Sequence, residues 1–190
     1  MSKITEIRWH GRGGQGAKTA ALLLAESALG EGKYVQGFPE YGPERMGAPM
    51  QSFTRISQAP ISLHSHVRTP DAVVVLDSTL LDTVDVTLGL REKGVILVNS
   101  PETSQAMRRK LGLNKGKVFT VDATSISMEI LGKNLPNIPM LGALIKVTSL
   151  LGLDTVISSI EHKFGKKFSS RIIEGNIEAI KKAYEEVKEE

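Results

Sequence analysis

The sequence predicts a three-layer α/β fold with a mixed, mostly parallel sheet and a helical C-terminal third. Three observations carry that expectation. Short apolar runs at Ala72–Leu76, Val95–Val98 and Lys117–Val121 alternate with helical patterns, as in a sheet covered on both faces. The stretch from Tyr34 to His66 is β-prone and hairpin-like, so the sheet is not purely parallel. After Asp122 only helical patterns remain, broken at Gly132–Pro139, Gly152 and Gly165. At 190 residues the chain suits one well-buried core, and a single domain over residues 1–190 is expected.

Each element follows from its local chemistry. Ile4 to Trp9 reads as a strand and runs into Gly11-Arg12-Gly13-Gly14-Gln15-Gly16. From Ala17 to Gly30 an Ala/Leu-rich segment suits a helix buried on most sides, and Tyr34–Gly37 reads as a second strand. Phe38 to Pro49 contains Pro39, Gly42, Pro43, Gly47 and Pro49, which predicts a long loop; such loops commonly carry function. Gln51–Ser57 and Ile61–His66 flank Gln58-Ala59-Pro60 as a hairpin. A helix capped by Asp77 or Ser78 is expected after the run at 72–76. Another should follow Ser100-Pro101-Glu102, which places an N-cap, a first-turn proline and an acid in order. The final helix, from about Ser169, presents the stripe Ile173, Ile177, Ile180, Tyr184 and Val187.

Composition excludes several function classes. With no cysteine, the chain cannot form a disulfide scaffold, a thiolate zinc site or a catalytic thiol, nor ligate an iron–sulfur cluster through its own thiolates. Redox chemistry would need an organic cofactor or a partner chain. A net charge of +3 with 5% aromatic residues lacks the dense basic stripe of a nucleic-acid binder. No run approaches the ~20 apolar residues of a membrane span, and the N-terminus lacks the apolar core of a signal peptide, so a cytoplasmic location is expected.

The glycine loop lies between a strand and a helix, where backbone N–H groups can meet an anion. Gly11, Gly13 and Gly16 satisfy the spacing of a dinucleotide loop, but the second strand ends Val35-Gln36-Gly37-Phe38 without the acid that would hold a ribose; Glu40 falls in the loop beyond. Gly11, Gly16, Lys18 and Thr19, with Asp77 ending a hydrophobic strand, approach an NTPase P-loop. Ala17 nevertheless separates the second glycine from Lys18, and one extra residue turns that lysine from the phosphate. The glycines could also serve close packing of helix on strand. Arg12 is either a phosphate donor or an exposed loop charge, and Asp77 either a site residue or a helix cap. His64 and His66 share a strand face without a third ligand and read as solvated. Arg108-Arg109-Lys110 with Lys115 and Lys117 reads as a solvated helix end.

Two segments together are specific. His10-Gly-Arg-Gly-Gly-Gln-Gly-Ala-Lys-Thr-Ala20, followed by Phe38-Pro-Glu-Tyr-Gly-Pro-Glu-Arg-Met-Gly-Ala-Pro-Met-Gln51, resembles the gamma subunits of 2-oxoacid:ferredoxin oxidoreductases, and most closely the pyruvate type. The Val73–Asp77 strand and the late Ile138-Pro-Met-Leu-Gly142 segment fit the same pattern. The resemblance implies a multisubunit enzyme that oxidatively decarboxylates pyruvate with coenzyme A, passing electrons to ferredoxin. It implies thiamine diphosphate, Mg and 4Fe-4S clusters held on alpha, beta and delta partner subunits, with none held by this chain alone and no catalytic residue on it. Coenzyme A, as a substrate, would be contacted by Gly11, Gly13, Gly14, Gln15 and Gly16 and by Tyr41, Glu44 and Arg45. Alternatively these loops are an assembly surface and Arg45 an interface ion pair. Another 2-oxo acid as substrate, or a stand-alone nucleotide-binding protein, are the competing readings.

Overall fold

The structure, a computed structural model, describes residues 3–40, 47–165 and 167–190. Within these residues seven strands form one sheet: β1 (Ile4–Arg12), β2 (Tyr34–Glu40), β3 (Pro49–Ser57), β4 (Ala72–Val75), β5 (Val95–Asn99), β6 (Lys117–Val121) and β7 (Lys188–Glu189), in the order β2-β3-β1-β4-β5-β6-β7. β1, β4, β5 and β6 run parallel; β3 is antiparallel to both β1 and β2, and β7 is antiparallel to β6. Among the described residues six α-helices accompany them: α1 (Ala17–Gly30), α2 (Ser104–Leu111), α3 (Ala123–Leu131), α4 (Asn137–Thr148), α5 (Leu153–Gly165) and α6 (Ser170–Glu186). The mixed α/β fold with its helical C-terminal portion is as expected.

The two faces of the sheet are covered unequally, and strand alternation sorts them. Ile7 and Trp9, with Ile56, Val74, Leu97, Phe119 and Val121, pack into the large core beneath α1 and α3–α6. Val73, Val75, Ile96, Val98 and Val118 face the other way into a small core closed by Met107 of α2 and by Val86. Contact between α4 and α6 is close because position 142 is glycine: a Cβ there would lie 2.2 Å from the Ile180 carbonyl oxygen. The C-terminal stripe is therefore internal, with Ile180 buried and Ile177, Tyr184 and Val187 packed on the core.

Four expectations are corrected. The strand expected at Ile61–His66 is irregular; β3 instead inserts between β2 and β1. Gln36 donates from Nε2 to the Leu63 carbonyl (3.0 Å) and Arg55 from Nη2 to that of Ser65 (2.6 Å), tying segment 61–65 across the sheet. The loop at Phe38–Pro49 is shorter at both ends, since β2 continues through Glu40 and β3 begins at Pro49. Pro39 is tolerated because β2 is an edge strand, where a missing N–H breaks no ladder.

After β4 comes only a 3-10 turn, Ser78–Asp82, not a full helix. Asp77 accepts from Thr79 N and Asp85 from Thr87 N, each at 3.0 Å, so these side chains compete with helical hydrogen bonding. The helix expected after Ser100 starts at Ser104, capped by Thr103, while Ser100 Oγ closes a turn onto Glu102 N. β7 had no sequence signal: two residues are too short for periodicity. Arg108 holds its end in place by donating from Nε to the carboxylate of Glu190 (2.7 Å).

Candidate functional site

The glycine loop connects β1 to α1 at the carboxyl ends of β1 and β4, where ligands of open α/β sheets gather. Two of its glycines have geometric reasons. Gly14 and Gly16 have φ of 98° and 81°, in the left-handed region that disfavours side chains. A Cβ on Gly16 would also lie 2.6 Å from Nδ2 of Asn137. The first turn of α1 is thus pressed against the first residue of α4.

Hydrogen bonds fix the loop on its other side. Gly13 N donates to the Ala48 carbonyl (3.0 Å), and Gly47 N donates to the Gly13 carbonyl (3.2 Å). This joins the loop to the end of the second motif. Gln15, expected among the ligand contacts, turns its amide inward: Oε1 accepts from Arg12 N (2.7 Å) and Nε2 donates to Asp77 Oδ2 (2.7 Å). Arg12 is neither a solvent charge nor an outward donor. Its Nε pairs with Asp77 Oδ2 (3.2 Å), Nη2 donates to Thr79 Oγ1 (2.9 Å) and Nη1 to the Gly47 carbonyl (3.2 Å). Burial raises the Asp77 pKa, but hydrogen bonds from Thr79 and Gln15 and the charge of Arg12 outweigh it, holding the carboxyl below its ordinary value. In the NTPase comparison this aspartate would face a metal ion; here both its oxygens are engaged by the protein.

Beside Gly14 and Gly16 opens a cavity of about 740 Å³. Three helices present their N-terminal ends to it: α1 at Gly16, α4 at Asn137 and α6 at Arg171 and Ile172. At none of the three does a side chain supply the cap hydrogen bond. Lys133 and Arg171 add positive charge at the rim; the acid on the wall, Glu129, is paired with Lys182 (2.7 Å). Leu131, Ile138, Phe164, Phe168 and Ile172 add apolar surface to the same lining. Such a cavity accepts an anionic group at the helix ends and an apolar stem along the wall.

The predicted site residues therefore divide. Gly14 and Gly16 line the cavity, Gly11 and Gly13 shape the loop behind it, and Gln15 braces it. Tyr41, Glu44 and Arg45 lie outside the described residues. Asn137, Lys133, Phe168 and Arg171 were not singled out from sequence. Nothing in their spacing marks them, because they reach the glycine loop only when the C-terminal helices fold over it. His64 and His66 are exposed, as expected. Among the described residues, no group of three or more His, Cys, Asp or Glu could hold a metal ion, and no helix is long and apolar enough to cross a membrane.

A second polar arrangement was also missed. Glu6, Arg8 and His10 alternate along β1 on the face away from α1 and are all buried. Arg8 donates from Nε to His10 Nε2 (3.0 Å) and from Nη2 to the carbonyls of Val86 (3.0 Å) and Leu88 (2.7 Å). Burial, with the charge of Arg8 adding to it, lowers the His10 pKa to about 3. Glu6 accepts from Arg55 Nε at 2.9 Å. Ionisable residues at positions 6, 8 and 10, alternating with Ile7 and Trp9, are the signal that could have revealed it.

The sheet and the glycine loop define an α/β protein of the open-sheet kind, with a candidate site where helix N-termini meet the cavity. The profile of the pyruvate ferredoxin/flavodoxin oxidoreductase family matches residues 6–186, and the chain belongs to that family. It is 51% identical to the pyruvate synthase subunit PorC of Thermotoga maritima over 98% of this chain and 96% of that one. It is 48% identical to the common gamma subunit of the pyruvate/ketoisovalerate oxidoreductases of Thermococcus litoralis, with 96% of each covered. The crystal structure of the Thermotoga maritima pyruvate oxidoreductase subunit PORC superposes with a TM-score of 0.87 at 47% identity, covering 98% of both chains.

Proposed function

We propose that this chain is the gamma subunit of a pyruvate:ferredoxin oxidoreductase and that its cavity at the α1 N-terminus takes coenzyme A. The complex is cytoplasmic and uses pyruvate and coenzyme A to form acetyl-CoA and carbon dioxide, with ferredoxin as electron acceptor. Thiamine diphosphate, Mg and 4Fe-4S clusters reside on the alpha, beta and delta subunits, in keeping with a chain that has no cysteine.

The observation that carries the coenzyme reading is the polarity of the cavity. Three helix N-termini and two cations in the lining suit phosphate groups, and its aromatic and aliphatic side chains suit an apolar stem. Arg171→Ala in the assembled enzyme should raise the KM for coenzyme A about tenfold, as expected for losing one charge-assisted hydrogen bond, and leave the KM for pyruvate unchanged. An unchanged KM for coenzyme A would refute it.

A second reading, that this face is a subunit contact, is favoured by one observation. Phe168 and Ile172 at the rim are 47% and 44% exposed, large for apolar side chains. Dissociation of the complex by Arg171→Ala would favour that reading over the first.

A further inference from the structure

We propose that Asp77 is a positioning residue for coenzyme binding, holding the glycine loop so that the N-terminal end of α1 faces the cavity. The proposal rests on the reading that this cavity takes coenzyme A. Asp77 does not itself line the cavity, so it would act only through the loop.

The two carboxylate oxygens have different tasks. Oδ1 accepts from Thr79 N (3.0 Å) and Thr79 Oγ1 (2.6 Å), which closes the turn after β4. Asp85 makes the same turn with Thr87, at 3.0 and 2.7 Å, so an Asp-x-Thr turn is a local device that needs no second task. Oδ2 of Asp77 is where the two positions differ: it receives Gln15 Nε2 at 2.7 Å and Arg12 Nε at 3.2 Å.

The bonds then close a ring. Gln15 Oε1 takes Arg12 N, and Arg12 Nη2 returns to Thr79 Oγ1. Arg12 Nη1 extends the clasp to the Gly47 carbonyl, where the second motif enters β3. A loop containing Gly13, Gly14 and Gly16 has wide conformational freedom, and a ligand that needs one conformation pays an ordering cost on binding. The clasp removes that cost in advance, from a strand that belongs to the rigid core: Val73, Val74 and Val75 are fully buried.

The assembled enzyme provides the test, with KM for coenzyme A and for pyruvate measured separately. Asp77→Asn keeps the shape but removes the ion pair with Arg12 and turns an NH2 toward one set of donors. Arg12→Met breaks the clasp from the other side. Each should raise the KM for coenzyme A about fivefold, the effect of one lost hydrogen bond, with the KM for pyruvate unchanged and the complex still assembled. The double variant should exceed the worse single variant by less than about twofold, because both act through one clasp.

Multiplicative effects, or an unchanged coenzyme KM in both single variants while Arg171→Ala raises it, would overturn the positioning role and leave the coenzyme reading standing. Silence in all three would sink the coenzyme reading as well. Disassembly by both Asp77→Asn and Arg12→Met would overturn the proposal in favour of a purely structural clasp.

Discussion

Acidification should destabilise this protein through His10 before any carboxylate is involved. His10 is 2% exposed and accepts from Arg8 through Nε2, so the ring is neutral with its proton on Nδ1. Protonation in place would require a second cation beside a buried guanidinium, and the pKa accordingly falls from 6.5 to about 3. In the unfolded chain the ring is free to take its proton. Between those two values the unfolded state binds more protons, so stability rises with pH and is lost as pH falls below 6.5.

From pH 7 to pH 5 the loss is about 2 kcal/mol, at about 1.4 kcal/mol for each unit below the ordinary value. Asp77, Asp85 and Glu31, whose pKa values are lowered, stabilise the fold above their unfolded values of 3.8 to 4.5. Their contribution fades only below this window. His10→Gln offers Oε1 to Arg8 and cannot titrate. Urea unfolding at pH 5, 6 and 7 should therefore give a stability for wild type that falls by about 2 kcal/mol more than that of the variant. Equal slopes for the two would refute the buried neutral imidazole.

Two further outcomes follow from packing and pairing. Gly142→Ala must push α4 from α6, since its Cβ would meet the Ile180 carbonyl at 2.2 Å; the expected loss is about 3 kcal/mol, read as a melting temperature roughly 8 °C lower. Arg55→Met leaves the buried carboxylate of Glu6 with the looser ion pair to Arg91 (4.0 Å) and should cost about 2 kcal/mol in urea unfolding, and adding Glu6→Gln should recover part of it.

The parts of the fold legible in the sequence are those governed by local patterning. The apolar runs of β4, β5 and β6 announced themselves because both faces of each strand are buried, and α1 did so through its Ala/Leu content. Where non-local pairing decides, sequence misled: Ile61–His66 has strand-like residues and a turn before it, but both edges of β3 are taken by β1 and β2. The glycine loop was visible from spacing, yet the tasks of Gln15 and Arg12 were not, since both depend on Asp77, about 62 positions further along. The cavity was least legible, as Asn137 and Arg171 join Gly16 in its lining only through tertiary packing.

The insertion of β3 between β2 and β1 has a consequence for how the chain must be made. Ile7 and Trp9 are synthesised before the strands that pair with them, and β1 gains its hydrogen-bonding neighbours only when residues 49–57 and then 72–75 have followed. Until then an apolar strand stands with both edges unpaired and only α1 available to cover one face. That interval exposes the strand to aggregation during synthesis, and the charges of Glu6 and Arg8 on the opposite face oppose such association.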